Sequence, residues 1–383
     1  IRSLDERKVV ILVLLDMSAA FDTMNHCSLL RVLECTGVSG IALQWFSSYL
    51  SNRAQSVLIR SSNSDPYELK CGVPQGSVLG PLLFTIYTAG LGAIIRQHLV
   101  GYHFYADDSQ IYVSAEPEML EEAISAMEAC LRDVRTWLCG HGLKLNESKT
   151  ELLVISSKHN AQQGQTVTIG ESSIAQTHKA RNLGVTMDVR ATMEDHVNVM
   201  CRAAYAQLRA IKRLQPYLDQ QSLETIVHAF VSSRLDFCNS VLAGINKRLI
   251  DKLQRVQNAA ARIVSRTSKC EHITPVLKSL HWLPVTMRVQ YKILVIVYKC
   301  LNHLAPKYLL NLLQVVVNPR ALRSSRVLNL EVPRTNLNCA NQAFSVIGPK
   351  LWNSLPNDVR MCQNLNTFKS LLKTHLFKKY FIN

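Results

Sequence analysis

The sequence has no apolar stretch long enough to cross a membrane and no closely spaced pair of cysteines. The apolar run 9–15 ends at Asp16, and the run 293–298 ends at Lys299, whereas a membrane-spanning helix needs about 20 apolar residues. None of the 11 cysteines belongs to a C-x-x-C pair, so the cysteines predict neither a zinc site nor a disulfide framework. These absences disfavour membrane and secreted proteins, and we expect an intracellular protein with reduced thiols.

Acidic residues are few compared with basic ones, and the imbalance is confined to the second part of the chain. The 383 residues include 43 Lys and Arg against 28 Asp and Glu, a formal net charge of +15. Residues 1–150 hold 12 basic and 16 acidic residues, a net of −4, whereas residues 151–383 hold 31 and 12, a net of +19. This distribution favours a polyanionic partner for the second part, although a solvated basic surface has the same composition.

The first part of the chain is patterned as alternating strands and helices. The run 9–15 is uniformly aliphatic, which is typical of a strand buried on both faces. A hairpin is predicted over 100–113, an amphipathic helix over 120–138 and a further strand over 151–155. This order is that of a split βαβ antiparallel sheet with helices on one face, so the predicted fold class is α+β. From about residue 195 the pattern becomes mostly helical.

A turn-rich loop and a helix are predicted between the first strand and the hairpin. Glycines and prolines punctuate 71–80, and Pro81 suits the first turn of a helix because proline lacks the N–H that would stay unpaired there. The helix is predicted to run over 82–95, with Gly90 and Gly92 weakening its end.

Three carboxylates are predicted to meet at one end of the sheet. Asp16 follows the first strand, and Asp107 and Asp108 form the tip of the hairpin. Carboxylates in one cleft repel each other unless cations neutralise them, and oxygen ligands favour Mg²⁺ or Mn²⁺. Two such ions can support phosphoryl transfer. An ordinary polar turn beside a strand end is the alternative that spacing alone leaves open.

Basic residues recur at helical spacing in two predicted helices of the second part. Such faces could hold a nucleic-acid backbone, whereas the solvated face of a packed helix needs no partner at all. The candidate nucleic-acid-binding residues are Arg202, Arg209, Lys212 and Arg213 on the first helix, and Arg248, Lys252, Arg255, Arg262 and Arg266 on the second.

Five segments, in order, resemble the successive motifs of reverse transcriptases. The first three are 14–22 (LLDMSAAFD), 72–81 (GVPQGSVLGP) and 104–108 (FYADD). The next two are 142–151 (GLKLNESKTE) and 182–185 (NLGV). The SAAFD and KLNESKTE stretches are similar to those of non-LTR (LINE-type) retrotransposon polymerases.

Segments of the second part resemble the C-terminal part of the same elements, so the resemblance covers nearly the whole chain. They are 228–236 (HAFVSSRLD), 254–263, 272–284 (HITPVLKSLHWLP) and 349–356 (PKLWNSLP). The bare sequence assigns these segments no chemistry of their own.

The resemblance implies a right-hand polymerase with a palm over residues 1–190, a basic helical thumb over 191–270 and a C-terminal basic region over 271–383. It implies transfer of deoxynucleotides to a primer 3′-hydroxyl on an RNA template, with two Mg²⁺ or Mn²⁺ ions as cofactors. The implied partners are the RNA template, the DNA primer and deoxynucleoside triphosphates, within a ribonucleoprotein of the nucleus and cytoplasm and without a membrane. The oligomeric state is not predicted.

The resemblance also implies roles for single residues. Asp16, Asp107 and Asp108 match the metal-binding catalytic aspartates, and Lys149 matches a catalytic lysine that protonates or steadies the departing pyrophosphate. Phe21 matches the residue under the incoming sugar, where a ring would clash with a 2′-hydroxyl, although a core phenylalanine would look the same. The other matched substrate-binding residues are Gln75 and Gly76, in the loop at template and nucleotide, and Tyr105 in the third motif.

Departures from the family pattern leave the activity of the chain open. Only 15 residues precede Asp16, so the fingers region of a reverse transcriptase is largely missing, as is the endonuclease that these elements encode upstream. Together with a first residue that is not Met, this predicts an N-terminally truncated copy. The alternatives to an active enzyme are a catalytically inactive nucleic-acid-binding remnant and an RNA-directed RNA polymerase.

Overall fold

The computed structural model describes residues 1–157, 164–316 and 328–382 and confirms the α+β class. The strands are β1 (Val9–Leu15), β2 (Met17–Ser18), β3 (Ala54–Gln55), β4 (Leu58–Ile59), β5 (Ser62–Asn63), β6 (Tyr67–Glu68), β7 (Gly101–Tyr105), β8 (Asp108–Ala115), β9 (Lys144–Leu145), β10 (Glu151–Ile155), β11 (Thr166–Ile169), β12 (Ser172–Ala175), β13 (Lys179–Asn182) and β14 (Val185–Asp188).

The helices are α1 (Arg2–Asp5), α2 (His26–Cys35), α3 (Gly40–Leu50), α4 (Gly80–Tyr87), α5 (Leu91–Arg96), α6 (Leu120–Gly140), α7 (Glu194–Leu214), α8 (Gln220–Val227), α9 (Ser233–Asp236), α10 (Lys247–Ser265), α11 (Ile273–Ser279), α12 (Val285–Leu301), α13 (Lys307–Leu310), α14 (Phe344–Asn353), α15 (Asn357–Arg360) and α16 (Leu365–Phe381). Short 3₁₀ helices occupy Pro117–Met119, Glu147–Lys149, Gln215–Tyr217, Asn239–Leu242 and Asn338–Gln342, and a π-helix occupies His228–Ser232. No described helix is both long enough and apolar enough to pass through a bilayer.

The chain divides into two compact units, and each has its own hydrophobic core. One unit is residues 7–184, which we call the sheet unit, and the other is residues 1–6 with 185–383, which we call the helical unit. The boundary lies close to the predicted end of the palm at residue 190. The segments predicted as thumb and C-terminal region both belong to the helical unit, so the division between them stays a prediction.

A four-stranded antiparallel sheet organises the sheet unit. Its strand order is β10–β1–β8–β7, which places the apolar strand β1 between two partners, as its continuous aliphatic run predicts. The long helix α6 packs on β1 and β8. It buries an apolar stripe that includes Met127, Leu131 and Val134, which recur at helical spacing.

The prediction of a single helix over 82–95 is wrong, because the structure has two helices there, α4 and α5. The Thr88 side chain donates a hydrogen bond to the Phe84 carbonyl oxygen (2.9 Å) where α4 ends. Gly90 and Gly92 have a packing role here: an added Cβ would lie 3.2 Å from the Trp137 ring at Gly90 and 2.7 Å from the Tyr102 hydroxyl at Gly92. These glycines therefore allow close approach of neighbouring aromatic side chains.

The helical unit is held together by helices from both ends of the second part of the chain. Its core combines residues of α7 and α10 with residues of α12, α14 and α16. Tyr298 stacks on Phe368 with ring centroids 4.2 Å apart, and Trp352 lies beside the same ring. The buried Trp282 and Trp352 are therefore packing residues of this core.

The first helix of the chain belongs to the helical unit. The Asp5 carboxylate accepts hydrogen bonds from the backbone N–H groups of Asn336 (2.8 Å) and Leu337 (2.6 Å). Residues 1–6 are thus fixed to a segment more than 300 positions later in the chain.

Candidate functional site

Asp16, Asp107 and Asp108 lie at one end of the four-stranded sheet. In the antiparallel pairing of β1 with β8, Leu15 lies opposite Ser109, so Asp16 reaches the level of Asp108. Asp107 occupies the turn between β7 and β8. The register therefore brings all three carboxylates to the same edge, as the sequence predicts.

The three carboxylates interact electrostatically. Burial raises the pKa of Asp108, and the negative charges of Asp107 and Asp16 raise the pKa further. A hard divalent cation would relieve this repulsion, and carboxylate oxygens are its preferred donors. Within the described ranges no three His, Cys, Asp or Glu side chains are already arranged to hold a metal ion. The donor chemistry fits the implied cofactor, although the side chains are not closed around a common point.

Lys149 lies beside the first of these carboxylates. The backbone N–H of Asn146 donates a hydrogen bond to the Asp16 carbonyl oxygen (2.8 Å), and β2 pairs with β9, so the fourth motif is bound to the first. The Lys149 Nζ lies 3.8 Å from the Asp16 Oδ2. Both side chains are solvated, so the ion pair contributes less than about 1 kcal/mol to stability. The contact matters because it places the Lys149 ammonium group beside the carboxylates. The catalytic role of Lys149 stays a prediction.

Gly72 binds the second motif to the first through its backbone. Its N–H donates to the Met24 carbonyl oxygen (2.8 Å), and its own carbonyl oxygen accepts from His26 Nε2 (2.8 Å) and Arg53 Nη1 (3.0 Å). The residue has a φ of +82°, and an added Cβ would lie 2.8 Å from the Cα of Asp22. Only glycine fits such a position. The sequence marks Gly72 as a turn residue but does not reveal these contacts.

Three of the predicted substrate-binding residues lie on the two loops that Gly72 joins. Gln75 is exposed and donates a hydrogen bond from Nε2 to the Asp22 Oδ2 (2.9 Å), a partner that the sequence did not suggest. Gly76 has a φ of +79° and open space around its Cα. Phe21 is half-buried, with its ring centroid 5.0 Å from that of Phe84. Phe21 therefore both contacts the core and borders the loop.

Tyr105 and Asp108 close the two-residue turn of the hairpin. The Tyr105 side chain is 62% exposed, so its ring is available to a ligand. Ala106 has a φ of 53°, which costs a non-glycine residue about 1 kcal/mol. The turn that carries Asp107 is therefore strained, a condition that is common at functional sites.

In the helical unit, five of the nine predicted basic residues line a groove between α7 and α10. It has a volume of about 540 Å³ and includes Lys269, which sequence periodicity misses because it lies beyond the end of α10. The predicted residues that line the groove are Arg209, Lys212, Arg255, Arg262 and Arg266. Those that do not line it are Arg202, Arg213, Arg248 and Lys252.

Some of the basic side chains already have partners within the fold. Arg266 lies just after α10 with a φ of 57° and donates from Nη2 to the carbonyl oxygens of Gln215 (3.1 Å) and Leu218 (2.7 Å). Arg262 donates to two carbonyl oxygens of the loop 268–271. The prediction that Arg266 lies on the helix face is therefore wrong, and both guanidinium groups stabilise the fold.

Three cations of the groove are available to a ligand. Arg209, Lys212 and Arg255 are exposed and have no hydrogen-bond or acidic partner in the part of the chain that the structure describes. Lys252, which lies outside the groove, differs from them because it donates a hydrogen bond to Asn198 Oδ1 (2.9 Å). Arg209, Lys212 and Arg255, which we call the open cations, are the strongest candidates for contacts to a phosphate backbone.

Comparison with known proteins shows what the first part of the chain is similar to. A family model described as reverse transcriptase (RNA-dependent DNA polymerase) matches residues 2–187. The chain is 27% identical over 279 residues to the probable RNA-directed DNA polymerase from transposon BS of Drosophila melanogaster, covering 69% of this chain and 30% of the relative. It is 26% identical over 261 residues to the RNA-directed DNA polymerase from mobile element jockey of Drosophila funebris, covering 66% and 28%. The chain thus spans about 30% of the length of these curated relatives.

Among solved structures, the apo telomerase from Candida tropicalis is similar at 12% identity and a TM-score of 0.39, covering 75% of this chain and 48% of that one. The family model covers the segment that carries Asp16, Gly72, Asp107 and Lys149. Residues 2–187 thus match the reverse transcriptase family model, and the chain is similar to the RNA-directed DNA polymerases of transposon BS and mobile element jockey.

Proposed function

We propose that the chain acts as an RNA-directed DNA polymerase that adds a deoxynucleotide to a primer 3′-hydroxyl on an RNA template. The observation that carries the proposal is the meeting of Asp16, Asp107 and Asp108 at one end of the sheet. Burial, and then the charges of Asp107 and Asp16, raise the pKa of Asp108 there. The match of residues 2–187 to the reverse transcriptase family model supports it. Attack of the 3′-hydroxyl on the α-phosphate would form the new phosphodiester bond and release pyrophosphate.

Asp16, Asp107 and Asp108 would hold two divalent cations, Mg²⁺ or Mn²⁺. When bound, these ions would lower the pKa of the attacking hydroxyl and neutralise charge on the phosphate oxygens. The repulsion among the three carboxylates supports this assignment, because a bound cation would remove it.

Other residues of the sheet unit would handle the nucleotide. Lys149, held 3.8 Å from Asp16, would supply positive charge or a proton to the departing pyrophosphate. The ring of Phe21 would exclude a 2′-hydroxyl by a steric clash. Gln75 and Gly76 would contact the template and the nucleotide from the exposed loop, and Tyr105 would border the same site.

The open cations of the helical unit would hold the RNA–DNA duplex by its phosphates. Contacts to phosphates carry no sequence information, so this binding would be largely independent of sequence. Arg262 and Arg266 would add positive charge to the same groove while their guanidinium groups stay bonded to carbonyl oxygens.

Primer extension tests the proposal directly. We expect magnesium-dependent incorporation of dTMP on poly(rA)/oligo(dT), and a loss of about 100-fold or more in Asp107→Asn, since transition-state charge stabilisation of this kind is worth several kcal/mol. Asp65→Asn changes an exposed carboxylate outside all five motifs, so it is the matched control and should keep wild-type activity.

Two outcomes would favour the rival functions. Equal background incorporation by wild type and Asp107→Asn, with salt-sensitive RNA binding retained, would identify a nucleic-acid-binding remnant. Phe21→Ala addresses the choice of product: a gain in ribonucleotide incorporation supports DNA synthesis by the wild type, whereas unchanged and efficient ribonucleotide use would indicate an RNA-directed RNA polymerase.

A further inference from the structure

A second cavity in the helical unit is built from segments to which polymerase chemistry gives no role. Its volume is about 420 Å³, within the range of small-molecule sites. The segments 228–236 and 272–284 both contribute to its wall, and α12 and α16 complete it. The cavity includes neither the carboxylates Asp16, Asp107 and Asp108 nor any residue of the groove between α7 and α10.

The carboxylates of this cavity are already paired. Arg288 Nε donates to Asp236 Oδ1 (2.8 Å), and a second contact joins Arg288 Nη2 to Asp236 Oδ2. Glu224 Oε1 accepts a hydrogen bond from Trp282 Nε1 (3.1 Å). Arg288 therefore matches the charge of Asp236, while Glu224 is held by the Trp282 indole and lies 3.4 Å from His228 Nε2. Neither carboxylate pairs with the other cations of the cavity.

Two lysines border the cavity from different helices. Lys292 on α12 and Lys373 on α16 are exposed and make no hydrogen bond or ion pair anywhere in 1–157, 164–316 or 328–382. Two lysines that line one cavity without a counterion favour an anionic group such as a phosphate.

Asn239 provides an unused acceptor in the same cavity. The residue is 3% exposed and donates from Nδ2 to Asp236 Oδ1 (3.3 Å). Its Oδ1 is buried and accepts no hydrogen bond from the residues that the structure describes. Buried polar atoms are normally paired, and Asn239 lines the cavity, so a ligand with a hydrogen-bond donor could satisfy this oxygen once the side chain turns toward it.

Rings complete the lining of the cavity. His228, His281 and Tyr291 all border it and are exposed or half-buried. The His228 ring lies beside Trp282 (centroids 5.1 Å apart) and the His281 ring beside Phe377 (5.5 Å), so a planar ligand would extend these aromatic contacts. His228 begins the π-helix His228–Ser232, and such widened turns occur frequently at functional sites. A base with a planar face and edge donors suits these rings together with the Asn239 oxygen.

We propose that this cavity binds one nucleotide, with its phosphate at Lys292 and Lys373, its base against the rings and a donor of the base or ribose at Asn239. A free nucleoside monophosphate and a nucleotide unstacked from single-stranded RNA present the same chemistry. The cavity shares no residue with the three carboxylates or with the groove. Nucleotide binding in the cavity can therefore be measured even if the chain has no polymerase activity, and polymerase activity can be measured even if the cavity binds nothing.

Isothermal titration of the full chain with AMP, GMP, CMP and UMP, and with inorganic phosphate, tests the proposal. We expect at least one monophosphate to bind about 10-fold or more tightly than inorganic phosphate. The double variant Lys292→Gln/Lys373→Gln should bind that monophosphate about 10-fold more weakly, since each lysine contributes a charge-assisted contact. The double variant Lys307→Gln/Lys378→Gln removes the same charge from exposed positions outside the cavity and should bind as the wild type does.

A second variant and a second ligand separate the remaining possibilities. Asn239→Ala, checked for folding by circular dichroism, should weaken the monophosphate and leave inorganic phosphate unchanged. A trinucleotide that binds more tightly than the monophosphate, and that also loses affinity in Lys292→Gln/Lys373→Gln, would identify the strand as the source. Equal affinity of the cavity variant and the wild type for every monophosphate, or equal binding of phosphate and nucleotides, would overturn the proposal.

Discussion

The two units of the chain build their charged surfaces in different ways. In the sheet unit, the carboxylates stand at strand ends and turns, and backbone hydrogen bonds through Gly72 and Asn146 fix the loops around them. In the helical unit, most cations of the groove stand along α7 and α10, where their positions follow from helical periodicity, and Arg266 and Lys269 lie beyond the end of α10. The sheet unit thus depends on a few exact backbone contacts, whereas the helical unit spreads its charge over many separate side chains.

This difference predicts contrasting responses to substitution. A surface of separate side chains should lose affinity in steps while the fold persists, because each phosphate contact adds its own electrostatic contribution. A loop fixed by one close backbone contact should lose stability as soon as that contact is disturbed.

The largest effect should come from removing the open cations together. The triple variant Arg209→Gln/Lys212→Gln/Arg255→Gln should bind single-stranded or duplex RNA about 100-fold more weakly at low salt, and the slope of log K against log salt should fall by about 2 to 3. Lys278→Gln/Lys307→Gln/Lys378→Gln, with the same change in charge on the same unit, is the control. Equal losses in both triples would show that net charge and not the groove determines binding.

The next effect tests the backbone contact of the sheet unit. Gly72→Ala should lower the free energy of unfolding of this unit by about 2 kcal/mol, because the new Cβ meets Asp22 and the φ of +82° is unfavourable for alanine. Gly76→Ala has nearly the same φ but open space around it, so it should cost only about 1 kcal/mol. Urea unfolding measures the free energy of unfolding of both variants. If Gly72→Ala lowered it no more than Gly76→Ala does, the steric argument would fail.

A smaller effect separates structural from open cations within the groove. Arg266→Gln should lower the free energy of unfolding by about 1 kcal/mol, since the guanidinium group donates to two carbonyl oxygens. Arg255→Gln, which removes a cation without such partners, should change stability by less than about 0.5 kcal/mol. If the two variants had equal stability, the assignment of Arg266 as a structural residue would fail.

The smallest effects should appear as opposite responses of the units to pH. Burial lowers the pKa of His196 below the ordinary histidine value of 6.5, so protonation of the unfolded chain should destabilise the helical unit as the pH falls through that value. Burial and neighbouring carboxylates raise the pKa of Asp108 above 3.8, so the sheet unit should lose stability as the pH rises from that value.

Hydrogen exchange followed peptide by peptide measures the two responses separately. His196→Gln, which cannot be protonated, should flatten the pH response of the helical unit, and Asp108→Asn should flatten that of the sheet unit. Identical slopes in wild type and variants would exclude these two groups as the cause.

Much of the sheet unit follows from sequence patterns. The aliphatic run predicts β1, the polar pair Asp107-Asp108 predicts the hairpin tip, and the spacing of apolar residues predicts α6. The meeting of Asp16 with the hairpin also follows, because adjacent antiparallel strands share their ends. These features depend on local periodicity and on neighbouring strands, which a sequence displays directly.

Contacts between distant segments could not be predicted. Nothing near Gly72 in the sequence indicates that its carbonyl oxygen accepts from His26 and Arg53. Helical spacing groups Arg255 with Arg266, yet only the fold shows that one is open and the other is bonded to carbonyl oxygens. Periodicity gives the direction of a side chain, whereas its partners depend on tertiary packing.

The hydrogen bonds of Asp5 have a consequence for the order in which the chain folds. Residues 7–184 are inserted, in sequence, within a unit whose first six residues precede them. During synthesis the sheet unit can fold as soon as it emerges, but α1 must wait for residues 336 and 337. Closing so long a loop costs little more than closing a moderate one, because the entropy grows only with the logarithm of its length. Residues 1–6 are therefore among the last parts of this chain to reach their native positions.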